Sequence, residues 1–339
     1  MPKRKKRVQK HKEYISDENF NQNQNNIKLF CAVIFIIVNL SIKNRFETIT
    51  ENKYEEKIDK KFITNFNYTD CETFFITDEM KRDAGWMNMN SNQYYLINGI
   101  IRKHKPKSCL EVGVAEGGSS IIILNAIKDI KNSSLISLDL NTNFYLNPSH
   151  KTGYRVEKYF PELTKNWQLF TGEQPHIFLE KLNLTYDFVF LDTAHINPGE
   201  LINFIEILPF LNENAIIVLH DIVWHLIKEN ERQKERINSI SSPSLLLMST
   251  LYGDKIVIKT EDGLENMGAI YLYKNQKEHY LNYFLLLLNF WEYMPSEKHL
   301  EEIRVFIKKY YDNDLYLSIF ETAVKNNKNY VTKLKNSLK

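Results

Sequence analysis

The sequence is poor in cysteine, the residue that would tie it to an oxidising compartment or to a zinc cluster. It has only three, Cys31, Cys71 and Cys109, and none of them stands in a Cys-x-x-Cys pair. Disulfide frameworks need many paired cysteines, and zinc knuckles need closely spaced ones. Neither a disulfide framework nor a zinc knuckle is therefore indicated, and a cytoplasmic location is the simplest expectation.

The chain also has almost no net charge, because 44 Lys and Arg side chains balance 42 Asp and Glu side chains to give +2. Nucleic-acid-binding domains usually carry a clear basic excess, so no nucleic-acid partner is expected. The positive charge that stands out is a cluster at the start of the chain: Lys3, Arg4, Lys5, Lys6, Arg7, Lys10 and Lys12. A solvated tail and contact with anionic lipid or another polyanion both remain open interpretations of this cluster.

No apolar run is long enough to be assigned as a membrane span without doubt. The mostly apolar run at residues 29–42 has 14 residues, whereas a spanning helix needs roughly 20. A buried or membrane-surface segment is the favoured interpretation, with a short anchor as the alternative. Residues 1–43 would then be the part of the chain that contacts a membrane surface.

Composition changes along the chain and predicts five segments. Residues 1–26 form a disordered basic and Asn-rich tail, because they have too few apolar side chains to pack. The short apolar segment at 27–43 and a charged spacer at 44–77 follow. Residues 78–276 form the main folded domain, and residues 277–339 form a helical extension that packs on the core or supports a homo-oligomer.

Short apolar runs alternate with helical patterns within residues 78–276. The predicted strands lie at 109–112, 135–139, 167–170, 188–192 and 215–220, with helices at 119–130, 175–182 and 200–208 between them. Two further strands, 255–259 and 269–273, flank the turn at 261–263 and predict a hairpin. The fold class is therefore α/β: a Rossmann-like, doubly wound, mostly parallel sheet of seven strands with a terminal antiparallel hairpin.

A glycine-rich turn joins the first predicted strand to the helix that follows. Gly113, Gly117 and Gly118 lie there, and glycine allows a positive φ and a close approach of backbone to a ligand. The helix N-terminus presents free N–H groups, so a nucleotide-like ligand fits, although a turn without a ligand is the alternative. The Glu-x-Gly-x-x-x-Gly spacing from Glu111 differs from Gly-x-Gly-x-x-Gly, which argues against a nicotinamide-dependent oxidoreductase.

Acids and histidines follow three of the predicted strands. Asp139 ends the second strand, where a carboxylate can bind both hydroxyls of a ribose; an acidic loop residue is the alternative. Asp192 and His195 follow the fourth strand, and His220 and Asp221 follow the fifth. Carboxyl ends of parallel strands meet at one edge of a sheet, so these groups should converge there.

His195 is the preferred general base of this group. The unperturbed pKa of histidine is about 6.5, which suits proton transfer near neutral pH. A histidine that caps the next helix or binds a neighbouring carboxylate is the alternative.

With these motifs in this order, the sequence resembles the class I S-adenosylmethionine-dependent methyltransferases. The Asp-x-x-His motif and the following Leu-His-Asp-Ile resemble a subgroup with rhamnosyl and other sugar O-methyltransferases, and more distantly the catechol-type enzymes. The resemblance implies methyl transfer from S-adenosylmethionine to a hydroxyl of a glycan or small molecule, with His195 and Asp192 as catalytic residues. It also implies donor contacts by Glu111, Gly113, Gly117, Gly118, Ser119, Asp139 and Glu173.

The catechol-type resemblance further implies a divalent metal, Mg²⁺ or Mn²⁺, held at three matching positions. Carried over to this sequence, the ligands are Asp192, His220 and Asp221. His220 departs from the all-oxygen pattern, and imidazole suits Mn, Fe or Zn better than Mg. A metal-free site, in which His220 and Asp221 bind substrate or each other, therefore stays open.

One alternative belongs to a different functional class. The chain could be a non-catalytic membrane-surface scaffold that keeps the fold while its basic tail and apolar segment make the contacts. The presence of Asp139, Asp192 and His195 argues against that alternative.

Overall fold

The computed structural model describes residue 89 and residues 91–223, 242–258 and 266–337, with only the backbone of residues 91 and 329–337. These residues belong to one compact unit, Lys61–Lys339. The predicted tail, apolar segment and charged spacer, together with the turn at 261–263, lie outside them. None of the helices in the described part of the chain is both long and apolar enough to cross a bilayer.

Seven strands form one sheet in the order β3-β2-β1-β4-β5-β7-β6. The strands are β1 Ser108–Val112, β2 Ser134–Asp139, β3 Trp167–Thr171, β4 Tyr186–Leu191, β5 Leu211–His220, β6 Gly253–Ile258 and β7 Met267–Leu272. The first five are parallel, and β7 is antiparallel to both β5 and β6. The predicted fold class is therefore confirmed, including the terminal hairpin.

Helices cover the sheet, and we number those of the described residues in chain order. They are α1 Ser91–His104, α2 Gly118–Ile127, α3 Tyr154–Tyr159, α4 Pro175–Leu182, α5 Gly199–Ile207, α6 Pro243–Thr250, α7 Tyr280–Leu285, α8 Glu297–Tyr311 and α9 Asp314–Ser337. The predicted bounds of α4 are correct. Ser296 is the N-cap of α8, and its hydroxyl accepts a hydrogen bond from the His299 amide.

The central strands are apolar on both faces because helices pack on both sides of the sheet. One cluster of buried side chains includes Val189 of β4, Ile217 of β5 and Phe204 of α5, and a second includes Leu96 of α1 and Ile121 of α2. Burial of each such side chain stabilises the fold by about 1.5–3 kcal/mol. Packing on both faces therefore fixes the positions of the strand ends.

The C-terminal helices join the first of these clusters. Leu300 and Phe306 of α8 and Phe320 of α9 are buried in it, together with Trp291 from the segment before α8. The Trp291 amide also donates a hydrogen bond of 2.8 Å to the Asn327 side chain of α9. Residues beyond 277 thus complete the core on one face of the sheet.

Strand register brings the candidate residues to one edge. Val112, the last residue of β1, is paired with Leu138 on one side and Leu191 on the other, and Leu191 is paired with Leu219. The residue that follows each of these four positions is Gly113, Asp139, Asp192 or His220. These residues therefore leave the sheet at the same level.

Candidate active site

A cavity of about 470 Å³ lies at this carboxyl edge. Its wall is made by the glycine turn, by the loops after β2, β3, β4 and β5, and by the segment that leads into α8. Nine of the predicted site residues line it: Gly113, Gly118, Ser119, Asp139, Glu173, Asp192, His195, His220 and Asp221. Glu111 and Gly117 are the two that do not.

Neighbouring backbone requires glycine at two positions of the turn, Gly113 and Gly117. Gly113 has a φ of +92°, and a Cβ there would lie 1.8 Å from the Asp192 carbonyl oxygen. Gly117, the N-cap of α2, has a φ of +100°, and its Cβ would lie 3.1 Å from Gly153. Any side chain at these positions would strain the turn. The turn leaves Gly118 and Ser119, at the N-terminus of α2, on the cavity wall.

Asp139 ties the end of β2 to the glycine turn. Its Oδ2 accepts hydrogen bonds from the Val114 and Ala115 amides at 2.9 and 3.1 Å, and its Oδ1 accepts one from the Asn141 amide at 2.8 Å. A carboxylate offers about four lone-pair sites. One site is thus left for a hydroxyl in the cavity.

Glu111 lies behind the turn rather than on the cavity wall. Its fully buried carboxylate accepts hydrogen bonds from the hydroxyls of Ser119, Ser120 and Ser137 at 2.5–2.6 Å. Burial raises the pKa of Glu111 to about 7, although the three hydroxyls act in the opposite direction. In this arrangement Glu111 supports the turn, and its predicted contact with the donor stays a prediction.

Histidine and carboxylate side chains lie within ion-pair distance of each other at the carboxyl ends of β4 and β5. His195 places Nδ1 at 3.2 Å from Glu200 Oε1 and 3.6 Å from Asp192 Oδ1, and Nε2 at 3.3 Å from Asp221 Oδ2. His220 places Nδ1 at 3.3 Å from Asp192 Oδ2 and 3.5 Å from Asp221 Oδ1. The predicted convergence of these groups is therefore present.

The neighbouring carboxylates raise the pKa of both imidazoles. Burial alone would lower the pKa of His195, but the Glu200 hydrogen bond and the charges of Asp192, Glu200 and Asp221 raise it to about 9. Opposed by burial in the same way, the charges of Asp192 and Asp221 raise the pKa of His220 well above its ordinary value. The two imidazoles in turn lower the pKa of Asp221 to about 2.

Glu200 is a site residue that the sequence interpretation missed. It lies in the first turn of α5 with no exposed surface, and its Oε1 accepts hydrogen bonds from the amides of Thr193 and His195 at 3.2 and 3.3 Å. The Ser244 hydroxyl donates to its Oε2 at 2.6 Å. Glu200 thus fixes the loop on which His195 adopts a φ of +54°. An acid in the first turn of the helix after Asp-x-x-His was the available signal.

Two amide side chains, also missed, support the β5 tip. Gln93 Nε2 of α1 lies 3.3 Å from His220 Nε2, and Asn266 Nδ2 donates to Asp221 Oδ1 at 2.7 Å. These residues are 127 and 45 positions away in the chain from the groups they contact. No local motif could have revealed them.

The donor set at the β4 and β5 tips suits a divalent metal. Within the described residues, Asp192 Oδ1 and His220 Nδ1 are buried and have no hydrogen-bond partner. Asp192, His195 and Asp221 each offer a ligand atom within 4.8 Å of the other two. Carboxylates with imidazole suit Mn, Zn or Fe. His195 is the nitrogen donor of that group, whereas the predicted ligand His220 has Nδ1 at 3.3 Å from Asp192 Oδ2 and 3.5 Å from Asp221 Oδ1.

The fold and site define a class of protein: an open α/β sheet whose first strand ends in a nucleotide-type glycine turn, with acid and histidine groups beside it. Residues 110–222, about a third of the chain, match the family model described as a methyltransferase domain. This part of the chain is therefore similar to a methyltransferase domain, which agrees with the class that the sequence resembles.

Solved structures with a similar arrangement include three methyltransferases. A putative O-methyltransferase from Klebsiella pneumoniae is 15% identical, with a TM-score of 0.42 over 57% of this chain and 86% of that one. An O-methyltransferase from Bacillus cereus, solved with SAH, is 14% identical, with a TM-score of 0.43 over 57% and 87%. An SAH-bound methyltransferase from Podospora anserina is 17% identical, with a TM-score of 0.41 over 66% and 98%. No curated protein matches the sequence.

Proposed function

We propose that the chain transfers the methyl group of S-adenosylmethionine to a hydroxyl of a sugar or another small polyol, with His195 as the general base. The observation that carries the proposal is the position of His195. Its imidazole lines the same cavity as the glycine turn and is held between Glu200 on one nitrogen and Asp221 on the other.

The donor side of the cavity is formed by Asp139, Glu173 and the N-terminus of α2. In the proposal, the remaining lone pair of Asp139 accepts a ribose hydroxyl, while Gly118 and Ser119 present backbone N–H groups to the donor. S-adenosylmethionine supplies an electrophilic methyl group on a positively charged sulfur. The protein must hold an acceptor oxygen in line with that group.

The acceptor oxygen becomes a good nucleophile only when it loses its proton. Neutral His195 would take that proton at Nε2, next to Asp221 Oδ2. Because the pKa of His195 is about 9, the neutral fraction grows as the pH rises towards 9. The proposal therefore predicts turnover that increases across this range rather than one that peaks at neutral pH.

A divalent metal fits this proposal as an addition. Asp192, His220 and Asp221 would hold it, with His195 kept as the base, and it would supply a positive charge that lowers the pKa of a hydroxyl. Its charge would also oppose the carboxylates that keep His195 protonated. Turnover would then extend to lower pH in the presence of metal.

The remaining wall of the cavity supports a polyol acceptor. Tyr293, Met294 and Pro295 give it apolar surface, and Asn203 and His299 give it polar groups. Binding sites for small molecules combine apolar lining with a few placed polar groups in this way. In the proposal these residues form the acceptor end of the cavity, and the glycine turn and Asp139 form its donor end.

The test uses the purified full chain, labelled S-adenosylmethionine and a panel of glycans, polyols, lipids and small phenols, each with and without chelator. We expect label on an oxygen of a sugar or polyol, and activity that falls after chelation and recovers with Mg²⁺ or Mn²⁺. Label on nitrogen or carbon, or on phenols alone, would contradict the proposed acceptor. Activity that is indifferent to chelator would contradict the metal.

Membrane-surface contact through residues 1–43 and a homo-oligomer stay predictions from the sequence. A spectroscopic titration with NADH tests the alternative of a nicotinamide-dependent oxidoreductase. An enzyme of that class must bind the dinucleotide, whereas the proposed methyltransferase should not.

A further inference from the structure

A second group of metal-ligating side chains lies where the C-terminal extension meets the methyltransferase domain. His176 is the second residue of α4, Glu206 lies near the end of α5, and His299 lies in the first turn of α8. His176 Nδ1 is 2.7 Å from Glu206 Oε1, and His299 Nε2 is 3.4 Å from the same oxygen. The three helices thus meet at one carboxylate.

The side chains of His176, Glu206 and His299 are almost completely buried. Glu206 has no exposed surface, His176 has 3%, and the His299 side chain has 13%. Glu206 Oε2 accepts one hydrogen bond, from Asn203 Nδ2 at 3.2 Å, and His176 Nε2 is buried without a partner among the described residues. Ion pairs taken out of water lose much of their attraction to desolvation unless their hydrogen bonding is complete. This group is therefore poorly explained as an ion pair alone.

The chemistry and spacing of the donors fit a metal ion. Two imidazole nitrogens and a carboxylate oxygen are donors that suit Zn²⁺, Mn²⁺ or Fe²⁺ rather than Mg²⁺ or Ca²⁺. Neighbouring ligands of a tetrahedral Zn²⁺ with bonds of about 2.0 Å lie roughly 3.3 Å apart. The separation of 3.4 Å between His299 Nε2 and Glu206 Oε1 matches that value, and the three ligand atoms lie within 4.8 Å of one another.

We infer that His176, Glu206 and His299 bind one divalent transition-metal ion, with Zn²⁺ as the preferred species, at a site separate from Asp192 and Asp221. Binding requires His176 Nδ1 to move away from Glu206 Oε1, from 2.7 Å to the spacing of two ligands. His299 also lines the cavity, so water can occupy the open coordination position. The ion would link α4 and α5 to α8, and so would hold the segment of Tyr293 and Met294 against the cavity.

The experiment measures metal binding and not methyl transfer, so its outcome is independent of the proposed function. Metal-stripped full chain is titrated with Zn²⁺ against a chromophoric chelator, and melting is followed with and without Zn²⁺. The variants are His299→Ala and Glu206→Gln, with Asp192→Asn to remove the other candidate site and His150→Ala as the matched control. His150 is exposed and does not line the cavity.

We expect His299→Ala to bind one equivalent fewer than the parent, or to bind it at least roughly 100-fold more weakly, since even outer partners of a metal cost 10–100-fold in affinity. Zn²⁺ should raise the melting temperature of the parent, His150→Ala and Asp192→Asn chains more than that of His299→Ala. Glu206→Gln keeps the shape of the side chain and should also lose the equivalent, which covers the case that His299→Ala does not fold. Equal stoichiometry and affinity in the parent and in whichever of these two variants folds would overturn the inference.

Discussion

The two ends of the cavity are built in different ways. At the proposed donor end, backbone amides hold Asp139 on the cavity wall, and serine hydroxyls hold Glu111 behind the glycine turn. All of these hydrogen-bond donors are neutral groups. At the acceptor end, His195 and His220 are held by carboxylates. Hydrogen bonds from neutral groups therefore fix the shape of the donor end, whereas interactions between charged groups hold the acceptor end together.

Because of this difference, the two ends of the cavity should respond differently to substitutions. A Cβ at Gly113 would lie 1.8 Å from the Asp192 carbonyl oxygen. The glycine turn therefore packs directly against the end of β4 and has no room for a larger residue at this position. The charged groups at the acceptor end can exchange protons, or a metal, without any such collision. Substitutions at the donor end should thus change affinity, and those at the acceptor end should change turnover.

The largest expected effect is that of His195→Ala on turnover. Loss of a positioned general base typically costs roughly 10²–10⁴-fold in rate, and the donor contacts are on other strands. Steady-state rates with labelled donor give turnover, and calorimetry gives donor affinity. His150→Ala is the control, and an unchanged rate in His195→Ala would remove the residue from the mechanism.

Asp139→Ala should act in the opposite way, by weakening S-adenosylmethionine binding at least about tenfold. Its carboxylate is the group placed to accept a ribose hydroxyl, and a hydrogen bond to a charged group contributes about 1.5–3 kcal/mol. Calorimetric titration measures the affinity, with Asp129→Ala on the exposed end of the α2 region as the control. An unchanged affinity would show that Asp139 does not bind the donor, and would contradict the proposed difference between the two ends of the cavity.

The smallest effect expected is that of Glu200→Gln, which sharpens the comparison because it removes the charge of the side chain and keeps its shape. Glu200 is one of the groups that raise the pKa of His195, so its neutral isostere should lower that pKa. The rising limb of turnover against pH should then move to lower pH by roughly one unit, given the energy of a charge-assisted hydrogen bond. Glu157→Gln, on the exposed face of α3, is the control. A profile that stays in place would show that Glu200 is structural only.

The same contrast explains how much could be predicted from the sequence. The donor end is local: a strand, a glycine turn and a helix are contiguous, and Asp139 ends the next strand, so periodicity and glycine spacing reveal them. The fold followed from the same alternation of strands and helices. Each of these signals lies within a few residues of the structure that it specifies.

The acceptor end depends on contacts between distant parts of the chain. Asp192, His195, His220 and Asp221 could be predicted, because parallel strands end at one edge. Gln93, Asn266 and Tyr293 could not, because only the packing of α1, of the β7 edge and of the C-terminal extension brings them there. The raised pKa of His195 was unpredictable for a related reason, since it depends on Glu200 and Asp221 reaching the two ring nitrogens.

A crystal structure of the full chain grown with S-adenosylhomocysteine would test the account most directly. We expect the ribose within hydrogen-bond distance of the Asp139 carboxylate and the sulfur directed towards the space in front of His195 and Asp192. A ligand seated elsewhere, or one whose sulfur opens away from the β4 tip, would contradict the arrangement of donor and acceptor ends on which the proposed reaction rests.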